Sequence, residues 1–189
     1  MQEINMDYMR TTIVSCFLVF IIWVMCVDLY AKAPELPKYE LYVDEVTAEF
    51  IQEIQKEYPL VCIGNGGSMP YDVETIKIMF LSHEKASIDK AREIEVKAIE
   101  KLINIVNAHK KIRPFLREYP FTNSRAEISI SFTNKKLQPY ADGLIARISQ
   151  VHGQLLYRSY DPTIGRNVVL LKEPYEEAKQ KVLPFTKGL

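Results

Sequence analysis

Apolar residues recur at helical spacing in two segments of the chain. In residues 43–57, and again in residues 88–109, apolar side chains lie three or four positions apart, which places them on one face of an α-helix. Pro59 follows the first segment, where it prevents a helix from continuing, and Ser87 precedes the second, where its hydroxyl suits an N-cap. The pattern therefore predicts two helices, each with one buried stripe.

Two other segments place apolar side chains at every second position, as a half-buried β-strand does. These segments are residues 75–82 and residues 126–133. In the second segment, the alternation leaves Glu127, Ser129 and Ser131 on the opposite side from the apolar residues. We therefore predict two strands, and we expect these three polar side chains to contact solvent.

The dipeptide His152–Gly153 predicts a β-hairpin with a two-residue turn, because strand-like sequence flanks it over residues 144–160. A further strand is predicted at residues 168–172. Pro174 suits the first position of a helix, since that position needs no backbone N–H donor, and we expect a final helix at residues 175–183.

The order of these elements predicts an α+β fold. Residues 60–63 add a short apolar segment before the strand at 75–82. The strands that follow one another from residue 126 onward are incompatible with the strict alternation of strand and helix in a doubly wound fold. One-sided alternation is typical of antiparallel sheets. We expect an antiparallel sheet with the helix at 88–109 packed on one face.

A long uncharged run precedes this predicted domain. No charged residue occurs between Arg10 and Asp28. As a helix, this run would be about 26 Å long at ~1.5 Å per residue, which approaches the thickness of a bilayer core. The run includes Ile13, Phe17, Ile21, Trp23 and Val27. We predict a tail and a single transmembrane helix at 1–32, a linker containing proline at 33–38, and a soluble α+β domain at 39–189.

Two other interpretations of the uncharged run remain open. Residues 31–33 (AKA) have the small-x-small pattern of a signal-peptide cleavage site, which would make the chain an exported protein. Glu3 and Asp7 in the tail, and Pro34 directly after the site, disfavour that interpretation. A buried core helix is disfavoured because no polar face interrupts the run. We expect a retained single-pass anchor with the soluble domain on the non-cytoplasmic side.

Composition excludes several classes of protein. Of the 189 residues, 48% are apolar, which excludes disorder over most of the chain. The 24 basic and 24 acidic side chains cancel, and this disfavours a protein whose main role is to neutralise nucleic acid. The three cysteines form no CxxC pair, and the three histidines have no metal-ligand spacing. We therefore expect no nucleic-acid partner, metal or cofactor.

Residues 64–68 (GNGGS) are the most distinctive candidate for a ligand-binding or catalytic site, and we expect them to form a loop. The sequence lacks the Lys and Ser or Thr of a phosphate-binding P-loop, so a plain turn between strands is the simpler interpretation. The alternative is a small hydrolase or ligand-binding enzyme that uses this loop together with His83. Every catalytic template that we considered lacks at least one partner, which favours a membrane-tethered, non-enzymatic interaction or structural domain.

Cations and aromatic residues are interleaved directly after the long predicted helix. We call this segment the basic loop; its candidate binding residues are Lys110, Lys111, Arg113, Phe115, Arg117 and Tyr119. Pro114 and Pro120 restrict the backbone there, which lowers the entropy lost on binding. The loop suits a protein partner or anionic lipid. Alternatively, it is a solvated helix end whose aromatic side chains pack on the core.

Three short stretches support a resemblance to known proteins. They are residues 112–122 (IRPFLREYPFT), residues 157–162 (YRSYDP) and residues 175–178 (YEEA). Through these stretches, about residues 69–182 resemble small uncharacterised membrane-anchored proteins of intracellular bacteria. The resemblance implies no activity, and we transfer no functional residue from it.

Overall fold

The computed structural model describes residues 38–140 and 143–183. Three α-helices occur in this part of the chain: α1 (Lys38–Glu57), α2 (Ile88–Ala108) and α3 (Tyr175–Val182). The six strands are β1 (Leu60–Ser68), β2 (Thr75–Ser82), β3 (Ala126–Phe132), β4 (Ile145–Val151), β5 (Gln154–Asp161) and β6 (Arg166–Pro174). Two 3-10 turns, at Arg113–Phe115 and Asn123–Arg125, lie between α2 and β3. The predicted α+β class is confirmed.

The six strands form one sheet in the order β1-β2-β3-β4-β5-β6. Neighbouring strands are antiparallel except β2 and β3, which are parallel. The prediction of an antiparallel sheet is therefore wrong, and the sheet is mixed. The physical reason is the crossover through α2, which returns the chain to the end of the sheet where β2 began, so that β3 runs in the same direction.

The core lies between one face of this sheet and the helices. Ile78 of β2 and Ile130 of β3 are fully buried, as are Phe50 of α1 and Leu102 of α2. The rings of Phe50 and Phe80 meet edge to face, with centroids 6.0 Å apart. The apolar stripes of α1 and α2 thus cover the buried face of the sheet, as their spacing predicts.

The long helix α2 has nearly the predicted limits. Ser87 caps its N-terminus, since the backbone N–H of Lys90 donates to the Ser87 hydroxyl at 3.2 Å. His109, predicted as the last helical residue, is the C-cap. The capping residue and the spacing of apolar residues in the sequence therefore suffice to locate α2.

Helix α1 begins at Lys38, whereas the sequence predicts a start at residue 43. Tyr39 and Tyr42 in its first turns pack against Phe115, with ring centroids 6.2 and 5.8 Å apart. These contacts come from a distant part of the chain, so the spacing within α1 could not reveal them. The predicted linker at 33–38 therefore overlaps the helix by one residue, and the rest of that linker lies outside the described residues.

Strand β1 continues through the glycine-rich segment, so the predicted loop at 64–68 is wrong. Its residues pair with β2 from Leu60 opposite Ser82 to Ser68 opposite Thr75. Gly67 approaches β2 so closely that a Cβ there would lie 2.0 Å from the carbonyl oxygen of Thr75. The glycine therefore permits close strand pairing. The turn between the two strands follows at residues 69–74.

The C-terminal half follows the prediction with small changes in limits. The hairpin turn is confirmed: His152 and Gly153 have φ values of 48° and 74°, the left-handed pair that a tight hairpin turn requires. β6 is longer than predicted, at Arg166–Pro174. Pro174 is the N-cap of α3 and not its first helical residue.

None of the helices in residues 38–140 and 143–183 is long and apolar enough to cross a membrane. The predicted transmembrane helix at 1–32 lies outside the described residues. Contacts divide the chain between Pro37 and Lys38, and everything described here belongs to the second unit.

Candidate functional site

The two faces of the sheet have different surroundings. One face packs against α1 and α2, and α3 packs beside α2. The side chains of the other face are mostly exposed or half-buried, and none of the three described helices packs on them. We call this second face the open face.

Strand register aligns the open-face side chains in two rows that cross the sheet. The first row consists of Val61, Leu81, Ser131, Arg147, Arg158 and Val169. The second row consists of Gly64, Met79, Ser129, Ser149, Leu156 and Lys172. Apolar side chains therefore occupy both ends of the first row, and two arginines lie near its centre.

Arg147 and Arg158, which we call the arginine pair, are directly opposite each other on β4 and β5. Arg147 Nη2 donates to Ser129 Oγ at 2.9 Å, and Arg158 Nη1 donates to Ser149 Oγ at 2.9 Å. Ser129 and Ser149 are only 6% and 5% exposed, because large neighbouring side chains surround these small residues. Hydroxyl groups thus orient both guanidinium groups without neutralising them.

No carboxylate of the described residues forms an ion pair with the arginine pair. Glu127, an acidic side chain on the open face of β3, pairs with Lys77 at 3.5 Å. Glu95 lies in the core beneath β4, where burial raises its pKa well above the usual value against the smaller opposing effects of Gln150 and Arg147. Burial therefore favours the neutral form of Glu95, which leaves the charge of Arg147 uncompensated.

The arginine pair lines an open depression of about 390 Å³, together with Ser129, Ser149 and Asn167. The buried Nε of Arg147 has no hydrogen-bond partner in the described part of the chain. No histidine or cysteine lines this depression. Lys77 and Glu127, which pair with each other at 3.5 Å, also line it, so its three cationic side chains outnumber its one carboxylate. A net positive charge and several oriented N–H donors suit the depression to bind an anion.

Both arginines of the sequence-predicted basic loop are engaged within the fold. Arg117 Nε donates to Asp72 Oδ1 at 2.9 Å, and Arg117 Nη1 lies 2.7 Å from Glu74 Oε1. Arg113 donates through Nε and Nη2 to the backbone carbonyl of Asn107 at 3.0 and 2.7 Å. Arg117 therefore pairs with two carboxylates, and Arg113 caps a free carbonyl group at the C-terminal end of α2.

The other members of the basic loop are also mostly engaged. Lys111 lies 3.6 Å from Glu45, and Phe115 packs against α1. Tyr119 is 53% exposed and lies under the Arg113 guanidinium, 5.1 Å from its ring centroid. Lys110 is exposed, and no ion pair of it occurs in the described residues. The partner carboxylates come from α1 and the β1–β2 turn, which sequence proximity could not reveal.

Ser68 and His83, the residues of the enzyme alternative, are not brought together. They lie at opposite ends of β2, roughly 25 Å apart at ~3.3 Å per strand residue. The Ser68 hydroxyl donates to Glu74 at 2.9 Å, and His83 Nδ1 lies 3.3 Å from the carbonyl oxygen of Thr133. No group of three or more potential metal ligands occurs in the described residues.

Sequence reasoning missed the arginine pair because its members are 11 positions apart in the chain. The signal that could have found it is the hairpin turn. A two-residue turn at His152–Gly153 places Val151 opposite Gln154, and stepping back along both strands places Arg147 opposite Arg158. Ser129, predicted to contact solvent, is instead buried and accepts the hydrogen bond from Arg147.

Comparison of this chain with protein-family models, curated proteins and solved structures gives no match.

Proposed function

We propose that this chain is a membrane-tethered, non-enzymatic binding domain, and that the open face of its sheet binds an anionic ligand or partner. The observation on which this depends is the arginine pair, which serine hydroxyls orient and which forms no ion pair with a carboxylate of the described residues. In this proposal the tether is the uncharged run at 11–27, and the domain lies on the non-cytoplasmic side of the membrane.

The open face is a better candidate for this role than the basic loop. Arg117 of that loop already pairs with two carboxylates, so an incoming anion would have to compete with Asp72 and Glu74. The arginine pair has hydroxyl acceptors alone, and these leave its charge available. Exposed Val61 and Val169 at the two ends of the row add apolar area for a partner to cover.

Site-specific photo-crosslinking of the full-length chain in its native membrane tests this proposal. A photoreactive residue at Val61 or Val169 should give adducts, and an additional Arg158→Glu substitution should reduce their yield. The matched control is the same residue at Gln52, an exposed position of α1 on the other side of the domain. Equal adduct yields at all three positions, unaffected by Arg158→Glu, would contradict the proposal.

A further inference from the structure

We propose that the arginine pair and the hydroxyl groups of Ser129 and Ser149 form a subsite for a phosphate group. This inference rests on the proposed function and specifies the ligand class of the same site. The phosphate is that of a phosphate monoester, either the headgroup of a phospholipid such as phosphatidic acid or a soluble phosphate compound. Three features of the open face support this subsite: charge, donor geometry and space.

The first feature is the uncompensated charge of the arginine pair. Like charges directly opposite each other on neighbouring strands destabilise a sheet. Arg147 and Arg158 occupy such positions, in the middle of the sheet and not at a solvated edge. A phosphate monoester has a charge of about −1.5 to −2 at neutral pH, and it would balance both guanidinium groups at once. A single carboxylate would balance only one.

The second feature is the number of oriented donors. Each guanidinium group has five N–H donors, and one hydrogen bond from each is found among the described residues. Because Ser129 and Ser149 already hold the groups in place, little side-chain entropy remains to be lost on binding. Guanidinium groups match the oxygen spacing of phosphate in a bidentate manner, so two arginines can engage three or four phosphate oxygens together.

The third feature is the space beside the arginine pair. The depression of about 390 Å³ is larger than a phosphate ion requires, and Asn167 adds an amide group at its wall. On the β6 side, the apolar side chains of Val169 and Leu170 are about half exposed. The room and the apolar border accommodate the organic part of an ester.

Binding of inorganic phosphate to the full-length protein in detergent tests the charge and geometry. Phosphate should raise the thermal midpoint of the wild type, because a ligand of the native state stabilises it. The double substitution Arg147→Gln with Arg158→Gln should abolish that shift. Arg158→Lys, which keeps the charge but loses bidentate geometry, should weaken phosphate binding at least about tenfold.

The matched control removes the same number of positive charges, two, from the basic loop. Lys110→Gln with Lys111→Gln should leave the phosphate response unchanged. If both double variants lose the response equally, or if Arg158→Lys binds phosphate as the wild type does, the subsite does not exist. Removing two like charges that face each other should not unfold the domain, and circular dichroism of each variant checks that it is folded. If the double variant is unfolded, phosphate binding by Arg158→Lys decides whether the subsite exists.

Nanodiscs distinguish the two sources of phosphate. If the source is a lipid, phosphatidic acid discs should raise the thermal midpoint relative to phosphatidylcholine discs, and this shift should require the arginine pair. If the source is soluble, glycerol 3-phosphate should bind equally well in both discs. A protein that responds to none of these compounds contradicts the phosphate subsite, whereas adducts at Val61 and Val169 that depend on Arg158 would still support the proposed function.

Discussion

Two buried glutamates have surroundings that shift their pKa values in opposite directions. Burial raises the pKa of Glu95, which is fully buried in the core. Burial also opposes ionisation of Glu173, but hydrogen bonds from Arg92 at 2.7 Å and Lys181 at 2.6 Å outweigh it and lower the pKa. One carboxyl is therefore stable as the acid and the other as the anion.

Glu95→Gln should stabilise the protein by an amount that increases with pH. Because the folded pKa of Glu95 is raised, the stability linked to its neutral form is complete below the unfolded pKa. That stability is lost as the pH rises toward the folded pKa, by up to about 1.4 kcal/mol per pH unit. Glutamine has no such dependence. Urea unfolding of both full-length proteins across a pH series measures the difference, and a difference independent of pH would contradict the raised pKa.

Glu173→Gln should destabilise the protein by about 3 kcal/mol, because it leaves the buried Arg92 without its main counter-charge. The folded pKa of Glu173 is lowered, so this contribution is present above the unfolded pKa and is lost as the pH falls. The matched control, Glu93→Gln, removes a half-exposed carboxylate that pairs with Lys97 and should change stability by less than about 1 kcal/mol. If urea unfolding at neutral pH gives equal losses of unfolding free energy for the two variants, the buried pair contributes no more than the half-exposed one.

At the scale of elements, the sequence pattern predicts those features of helices, strands and turns that depend on neighbouring residues. The limits of β2, the Ser87 cap and the hairpin turn at His152–Gly153 each depend on residues close in sequence, and all three agree with the structure. The parallel pairing of β2 with β3 depends on the path of the intervening crossover, which no local pattern encodes. A run of glycines predicts a loop, but Gly67 instead permits close strand pairing.

Gly67→Ala should therefore disrupt the β1–β2 pairing. Its new methyl group would overlap the carbonyl oxygen of Thr75. Because backbone atoms move at a higher energetic cost than a flexible side chain, we expect the free energy of unfolding to fall by about 1–3 kcal/mol. Gly66→Ala is the matched control, since a Cβ at Gly66 meets nothing within 4 Å. That variant should be neutral or slightly stabilising, by up to about 1 kcal/mol. Thermal unfolding compares the two, and similar stabilities would contradict the close approach.

The candidate site was predictable only in part, and for a physical reason. A cluster of cations along the chain, such as the basic loop, is visible in the sequence, but its neutralisation by Asp72, Glu74 and Glu45 depends on the fold. Cations that meet across strands are visible only once the register is known. The hairpin turn supplied the register of Arg147 and Arg158, but not the burial of the serines that orient them.

At the scale of the molecule, a net charge of zero conceals an uneven distribution. Acidic and basic side chains of the helices largely pair with each other, as Lys101 does with Glu53 and Glu57. Among the described strand residues, the charged side chains of the open face are Lys77, Arg147, Arg158 and Lys172 against Glu127. A domain held at a membrane by an N-terminal anchor would present such a face to ligands at a high local concentration.

The full-length chain should fractionate with membranes and keep its N-terminus. The run at 11–27 is long enough to approach a bilayer core, and Pro34 follows the one small-x-small site, where it obstructs cleavage. Alkaline extraction of membranes followed by mass measurement of the intact protein tests this expectation. Recovery of soluble protein that begins at Pro34 would contradict it and would support export with a cleaved signal peptide.

A charge in the middle of the run separates a spanning anchor from a peripheral association. Ile21→Arg places a guanidinium near the centre of the predicted span, where insertion costs about 2.5–3.5 kcal/mol, so retention after alkaline extraction should fall. Ile21→Leu, the matched control, keeps the hydropathy and should be retained like the wild type. Because the open face has its own affinity for anionic lipid under the phosphate proposal, the extraction should be repeated with Arg147→Gln and Arg158→Gln. Retention that depends on the arginine pair and not on Ile21 would mean that the sheet, and not the N-terminal run, holds the protein at the membrane.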